Sequence, residues 1–102
     1  MKNLAKGEVI RELTNLPVWR IEKDKLYREF EFDSFPRAFG FMTSVAILCQ
    51  SMNHHPEWLN VYTSVKVWLF SHEVNGISNH DFELARQMNA LFGPAKKENE
   101  SR

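Results

Sequence analysis

The sequence has a single cysteine, few glycines and no excess of charge of either sign. With Cys49 alone no internal disulfide can form, which disfavours a secreted disulfide scaffold and favours the cytoplasm. The 13 basic and 13 acidic residues cancel, so no net positive field exists to attract nucleic acid or an anionic membrane. The glycines form no phosphate-binding loop, and no internal sequence repeat is present.

Long apolar runs are also absent. No window approaches the roughly 18 apolar residues that a membrane span needs, and residues 1–8 lack the apolar region of a signal peptide. A chain of 102 residues with 43% hydrophobic content suits one compact domain and is too short for two. We therefore expect a soluble, cytoplasmic protein with one domain over residues 1–94 and a charged, disordered tail over 95–102.

Apolar residues at helical spacing predict three helices. The first covers about the opening fifteen residues and ends before Pro17. The second, over residues 34–52, is the longest predicted element. The third begins at Ser78, with Asp81 in the fourth place of a capping box, and stops at Gly93.

The central helix is apolar over a wide arc. Its core-facing stripe is predicted to comprise Phe35, Ala38, Phe39, Met42, Val45, Ala46 and Cys49. Phe41 and Leu48 lie off that stripe, so the helix is more apolar than one sheet face requires, and a second partner surface is predicted. Cys49 is expected to be a small buried hydrophobe without chemistry.

Period-two alternation predicts two β-hairpins. One pairs the strand around Trp19 and Ile21 with residues 26–32, and the other pairs residues 58–62 with residues 65–70. The resulting order α-β-β-α-β-β-α predicts an α+β fold, with three helices on one face of a four-stranded antiparallel sheet.

The last predicted strand is apolar on both sides near its end. Trp68 and Phe70 lie on the face opposite Val65, Val67 and Leu69. This pattern indicates burial against a subunit or a ligand.

Three of the four histidines lie beside loops, where functional groups are commonly placed on a rigid scaffold: His54, His55 and His72. Because imidazole has a reference pKa of about 6.5, two such rings can provide a proton donor and an acceptor near neutral pH. The ordinary alternative is that each ring only makes local hydrogen bonds. Pro56 favours extended backbone at His55, so the adjacent rings point to opposite sides and need not share a role.

A zinc site is a weaker alternative. Its possible ligands would be Cys49, His54, His55 and His72, but adjacent histidines lack the i,i+2 or i,i+4 spacing that aims two rings at one ion. No metal is therefore assigned.

Asp81 and Trp58 each have two interpretations. Asp81 could serve only as a helix cap or could also contribute to a site. Trp58 could form the wall of a pocket for a flat heterocycle or could pack into the core as an ordinary strand residue.

One run of residues and its downstream partners form a specific signature: Met52-Asn53-His54-His55-Pro56-Glu57-Trp58, Asn60-Val61-Tyr62, Ser71-His72, Gly76, Ser78 and Asp81. This pattern resembles the pterin-4a-carbinolamine dehydratases, and the element order agrees with that family over residues 5–92. The resemblance implies a hydro-lyase that dehydrates 4a-hydroxytetrahydropterin to quinonoid dihydropterin in tetrahydrobiopterin recycling, after an aromatic amino acid hydroxylase has acted.

The resemblance also implies roles for individual residues. His54 and His72 would be the acid-base groups, in either order, and His55 would complete the catalytic set by positioning the pterin. The implied substrate-binding residues are Asp81, Trp58, Pro56 and Gln50. No metal or organic cofactor is implied, because the tetrahydropterin nitrogen supplies the electrons.

Gln50 departs from the family pattern, which usually has Glu or another charged residue four positions before the first histidine. A glutamine can hydrogen-bond a neighbouring imidazole or the substrate, but it cannot stabilise an imidazolium by charge. The departure leaves the implied dehydratase identity intact and puts the tuning of His54 in question.

The family also contains a dimerisation coactivator of a homeodomain transcription factor, which uses the helix that otherwise mediates self-assembly. The corresponding helix here is 34–52, so the resemblance implies a homodimer or homotetramer through that helix. An interaction protein with a vestigial pterin site is the alternative function.

Overall fold

The computed structural model describes residues 1–93, so the tail predicted over 95–102 lies outside the described residues. The element order is the predicted one, with bounds α1 Lys6–Leu13, β1 Arg20–Glu22, β2 Lys25–Glu31, α2 Phe35–Met52, β3 Glu57–Val61, β4 Ser64–Leu69 and α3 Asn79–Phe92. A short 3-10 turn, His72–Val74, connects β4 to α3.

The first hairpin turns on two residues. Lys23 and Asp24 have φ values of 56° and 63°, as a type I′ turn requires, and its twist matches that of the flanking strands. Glu22 therefore pairs directly with Lys25. Lys25 is already the first residue of β2.

The four strands form one antiparallel sheet in the order β1-β2-β4-β3, which confirms the predicted fold class. Residues of the two central strands that face the helices are completely buried, including Leu26, Phe30, Val65, Val67 and Leu69. Side chains of all three helices join them in a single hydrophobic cluster. The opposite face of the sheet is left for other contacts.

The core-facing side of α2 differs from the predicted stripe. The buried residues are Ala38, Phe41, Val45 and Cys49, whereas Phe35, Phe39 and Ala46 are exposed. Phe41 is in the core because its ring packs 4.7 Å from that of Phe30, between the sheet and α3. Ala38, Val45 and Cys49 were therefore predicted correctly, whereas Phe35, Phe39 and Ala46 were misplaced, because a helix that is apolar nearly all round can place either side on a sheet.

The ends of α3 and α1 are set by local hydrogen bonds. The side chain of Ser78 accepts from His80 N–H, and the Asp81 carboxylate accepts from Ser78 N–H, which confirms the capping box of α3. Helix α1 is shorter than expected, because the N–H groups of Thr14, Asn15 and Leu16 bond to carbonyls three residues earlier, as in a 3-10 turn, rather than four. No helix within residues 1–93 is long and apolar enough to cross a membrane.

The thiol of Cys49 should be unreactive in the folded protein. Burial raises the pKa of Cys49 to about 11, so only about 0.1% of it is thiolate at pH 8, against about 25% for an ordinary thiol with a pKa of about 8.5. We expect iodoacetamide to alkylate the native protein at least about 50-fold more slowly than the guanidinium-unfolded protein, as followed by mass spectrometry. Equal rates would contradict the burial of Cys49.

Candidate functional site

Helix α2 ends in a way that separates two adjacent histidines. Asn53 adopts a left-handed conformation with φ 53°, and the N–H of His54 donates to the carbonyl of Cys49 at 3.0 Å. Pro56 then keeps the backbone extended on the way into β3. As a result His54 is buried, at 6% exposure, whereas His55 is exposed.

His54 belongs to a buried hydrogen-bond network around Asp81. Its Nε2–H donates to Oδ1 of Asp81 at 2.6 Å. The second oxygen, Oδ2, accepts from Ser71 Oγ–H at 2.7 Å and from the backbone N–H of Ser78 at 2.8 Å. We assign the proton of the short contact to His54 Nε2, because an aspartate carboxylate has only acceptor atoms and the imidazole ring can carry the donor.

This network fixes the chain on both sides of a cleft. His54 directly precedes His55, and Ser71 directly precedes His72, so one buried carboxylate binds the neighbour of each exposed imidazole. The hydroxyl of Ser78 lies 2.7 Å from that of Ser71 and joins the N-terminus of α3 to the same network. Asp81 therefore positions the histidines of the cleft without lying in it.

The cleft has a volume of about 350 Å³ and lies at one end of the sheet, where β2, β3 and β4 meet. It is lined by Lys25, His55, Pro56, Glu57, Trp68, Phe70 and His72. The ring of Phe70 meets that of His72 edge to face, with centroids 5.1 Å apart. Two imidazoles and two large aromatic rings thus face one small space.

An ion pair closes another side of the cleft. Lys25 Nζ lies 2.7 Å from Oε1 of Glu57 and 5.6 Å from the centre of the Phe70 ring. Behind the cleft, the indole of Trp68 packs on Tyr27, whose ring is 5.1 Å away. Burial, followed by the nearby charge of Glu29, raises the pKa of Tyr27, which keeps this hydroxyl neutral.

The structure places different histidines together from those to which the sequence prediction gave a shared role. His55 and His72 line the same cleft, whereas His54 and Asp81 lie in the buried network and are not among its lining residues. The predicted pair of His54 and His72 is therefore not brought together in the cleft. Gln50 contacts His55 instead of His54, with Oε1 at 3.2 Å from Nε2.

Of the other predicted residues, Pro56 lines the cleft and Trp58 does not. Trp58 is half-buried on the helix-facing side of β3 and packs against the core cluster. The pattern that placed Trp68 and Phe70 on the outer side of the last strand was the available signal for the aromatic wall. Lys25 and Glu57 gave no comparable signal, because either could have been an ordinary solvated charge.

The described part of the chain does not bring metal ligands together. Within residues 1–93, no group of three or more His, Cys, Asp or Glu side chains is close enough to hold an ion together. Cys49 lies in the core, as expected.

Comparison with known proteins assigns a family. The family model described as pterin 4 alpha carbinolamine dehydratase matches residues 2–91. A protein of Prochlorococcus marinus strain MIT 9313, provisionally named a pterin-4-alpha-carbinolamine dehydratase, is 50% identical over 76 residues, or 74% of this chain and 79% of that protein. A protein of Solibacter usitatus with the same provisional name is 42% identical over 88 residues, or 86% of this chain and 93% of that protein.

A solved structure agrees with this assignment. The crystal structure of a protein from Brucella melitensis, described as a transcriptional coactivator/pterin dehydratase, superposes with a TM-score of 0.87 at 38% identity. The match covers 89% of this chain and 99% of the Brucella chain. By sequence and by fold, the chain belongs to the pterin-4a-carbinolamine dehydratase family.

Proposed function

We propose that the protein is a hydro-lyase that converts a 4a-hydroxytetrahydropterin to the quinonoid dihydropterin and water, in the cytoplasm. The observation that carries the proposal is the pair of accessible imidazoles, His55 and His72, in one aromatic-walled cleft. The family membership of the chain supports the same reaction.

The reaction requires two proton transfers and no external electron source. The bond from C4a to the hydroxyl oxygen breaks, and a proton donated to that oxygen lets it leave as water. The lone pair on N5 forms the double bond to C4a, and a base removes the N5 proton. One imidazole of the pair acts as the acid and the other as the base.

The proposed roles of His54 and His55 are the reverse of those implied by the sequence. His55 takes the proton-transfer role with His72, because both rings are exposed to the cleft. His54 becomes a positioning residue, because its ring is buried against Asp81. Trp68 and Phe70 offer the faces on which a flat pterin can stack.

Removal of either imidazole from the cleft should remove most of the catalysis. We expect His55→Ala and His72→Ala each to lower kcat by about 100-fold or more, since general acid-base catalysis contributes at least that much. The measurement is the decay of 4a-carbinolamine in a stopped assay, with the spontaneous rate subtracted.

Two variants serve as controls for this experiment. His80→Phe removes an imidazole that does not line the cleft but keeps an aromatic ring against His54, 5.9 Å away, and should keep kcat within about threefold of wild type. His54→Gln should lower the melting temperature while the folded enzyme keeps the shape of its pH profile. Wild-type decay no faster than buffer would refute the dehydratase proposal, and an active His55→Ala/His72→Ala double variant would refute the residue roles.

Gln50 provides a test of how His55 is tuned. A carboxylate in place of the amide that now lies 3.2 Å from His55 Nε2 would stabilise the imidazolium, which would then keep its proton to higher pH. We expect Gln50→Glu to move the limb of the kcat profile that His55 controls upward by about one pH unit. Gln87→Glu, on α3 and outside the cleft, adds the same charge and should leave the profile in place; equal shifts in both variants would contradict the contact.

Self-association through α2 is the proposed assembly. Phe35, Phe39 and Ile47 are exposed on this helix, and the first two rings pack 5.8 Å apart on its surface. Apolar side chains of this size on one helix provide a surface suited to a second copy. We therefore propose a homodimer or homotetramer built on the exposed side of α2.

Charge on this side of α2 should dissociate the assembly. We expect Ile47→Asp to reduce the molar mass measured by light scattering by at least half, because a buried carboxylate would lack a partner in a helix interface. Ile10→Asp, at an equally exposed position on α1, should leave the mass unchanged. A wild-type mass equal to that of one chain would reject the assembly.

An interaction protein with a vestigial pterin site is the second candidate function. The exposed side of α2 favours it, as does the description of the Brucella protein as a coactivator/dehydratase. A chain without dehydratase activity that binds a heterologous partner, and loses it on Ile47→Asp, would favour this candidate. An active, self-associating enzyme without such a partner would reject it.

A further inference from the structure

A second cleft, of about 660 Å³, lies between the segment that joins α1 to β1 and the C-terminal half of α3. It shares no lining residue with the histidine cleft. Its walls are mainly apolar, and Leu16, Pro17 and Val18 contribute to them. Its volume lies within the usual range for small-molecule sites.

A buried cation, Arg28, lines this second cleft. Arg28 is 7% exposed and lies on the helix-facing side of β2. Its guanidinium lies 4.2 Å from the centre of the Phe30 ring and 4.9 Å from that of Phe92. Nη1–H donates to Oδ1 of Asn89 at 2.6 Å, whereas the buried Nε has no hydrogen-bond partner within residues 1–93.

Arg28 lacks a countercharge in the described part of the chain. Each ion pair found within residues 1–93 involves other residues, and the only side chain there that accepts a hydrogen bond from Arg28 is the neutral amide of Asn89. Burial lowers the pKa of Arg28 to about 10, which still leaves the group positively charged at neutral pH. Cation-π contacts and one hydrogen bond offset only part of the cost of burying a charge.

The groups around Arg28 favour an acceptor over a donor as its ligand. Asn89 Oδ1 is already occupied by Arg28 and by Trp19 Nε1–H, so it has little capacity for another donor. A second arginine, Arg86, also lines the cleft and forms ion pairs with Glu12 and Glu83, each at 3.5 Å, so Arg28 is the cation left to bind an anion. Val18, although β-branched, has φ 77°, a strained conformation that recurs at ligand-binding segments.

From these contacts we infer that the second cleft binds a small carboxylate with an apolar body. The carboxylate would pair with the Arg28 guanidinium, for which planar carboxylates have the matching geometry. The apolar body would occupy the space against Leu16, Pro17 and Val18. This site is independent of the proposed dehydration, so its test requires no turnover.

Phenylacetate is a suitable probe, and phenylacetamide is its neutral counterpart. In a titration of the full-length, ¹⁵N-labelled protein, phenylacetate should shift the Arg28 Nε–H resonance saturably. We expect phenylacetamide and inorganic phosphate each to bind at least tenfold more weakly. Equal affinity for the amide would refute recognition of charge, and equal affinity for phosphate would refute the apolar body; absence of saturation would refute the site.

A variant that keeps Arg28 tests its role without the risk of removing a core residue. Asn89→Asp places a fixed carboxylate where Oδ1 now lies 2.6 Å from Arg28 Nη1, and it should weaken phenylacetate binding at least tenfold. Arg37→Gln, at an exposed ion pair on α2, changes the net charge equally and should keep the wild-type affinity. Unchanged affinity in Asn89→Asp would overturn the proposal.

The acidic residues that follow Gly93 in the sequence are rival occupants. Glu98 and Glu100 could supply a carboxylate to a cleft whose lining includes Gly93. The Glu98→Gln/Glu100→Gln variant should bind phenylacetate as wild type does. At least tenfold tighter binding in that variant would assign the cleft to the chain's own carboxylates and would overturn the small-ligand proposal.

Discussion

The fully buried carboxylate of Asp81 accepts hydrogen bonds from three donors in three separate segments of the chain. His54 follows α2, Ser71 follows β4, and Ser78 caps α3. Burying a carboxylate costs several kcal/mol unless its oxygens are satisfied, and here each oxygen has a close donor. The segments that carry the cleft histidines are therefore held by an interaction that fails if any one of them moves away.

This interaction also explains why two adjacent histidines have different environments. Extended backbone at His54-His55-Pro56 forces the two rings to opposite sides, which the sequence predicts. Which ring faces inward depends on where Asp81 lies, and that is set by the packing of α3 on the sheet. Which imidazole is buried and which is accessible thus depends on tertiary packing. The sequence prediction that paired His54 with His72 was made from local patterns, which do not contain this information.

The fold was more predictable than the surfaces it presents. Turn residues, caps and alternation are local signals, so the order of elements, the bounds of α2 and the capping box of α3 were all predicted and are confirmed. The buried side of α2 was predicted only in part, because Phe35 and Phe39 are as apolar as Phe41 and only the position of Phe30 distinguishes them. The sequence did predict that Trp68 and Phe70 contact a subunit or a ligand, since a strand that is apolar on both sides needs a partner on each face.

Within residues 1–93, Arg28 and Asp81 are both buried on the helix-facing side of the sheet, and their hydrogen-bond environments differ. Asp81 has hydrogen-bond donors to both oxygens, and its burial is explained by the structure it holds together. Arg28 has one neutral acceptor, Asn89 of α3, and two aromatic rings, and its buried Nε has no hydrogen-bond partner within residues 1–93. A folded chain retains an incompletely partnered charge only where other interactions offset the cost, and Arg28 lies where a cleft gives an external anion access to it. The histidine cleft and the second cleft therefore depend on opposite conditions, a satisfied carboxylate behind the former and an incompletely bonded guanidinium within the latter.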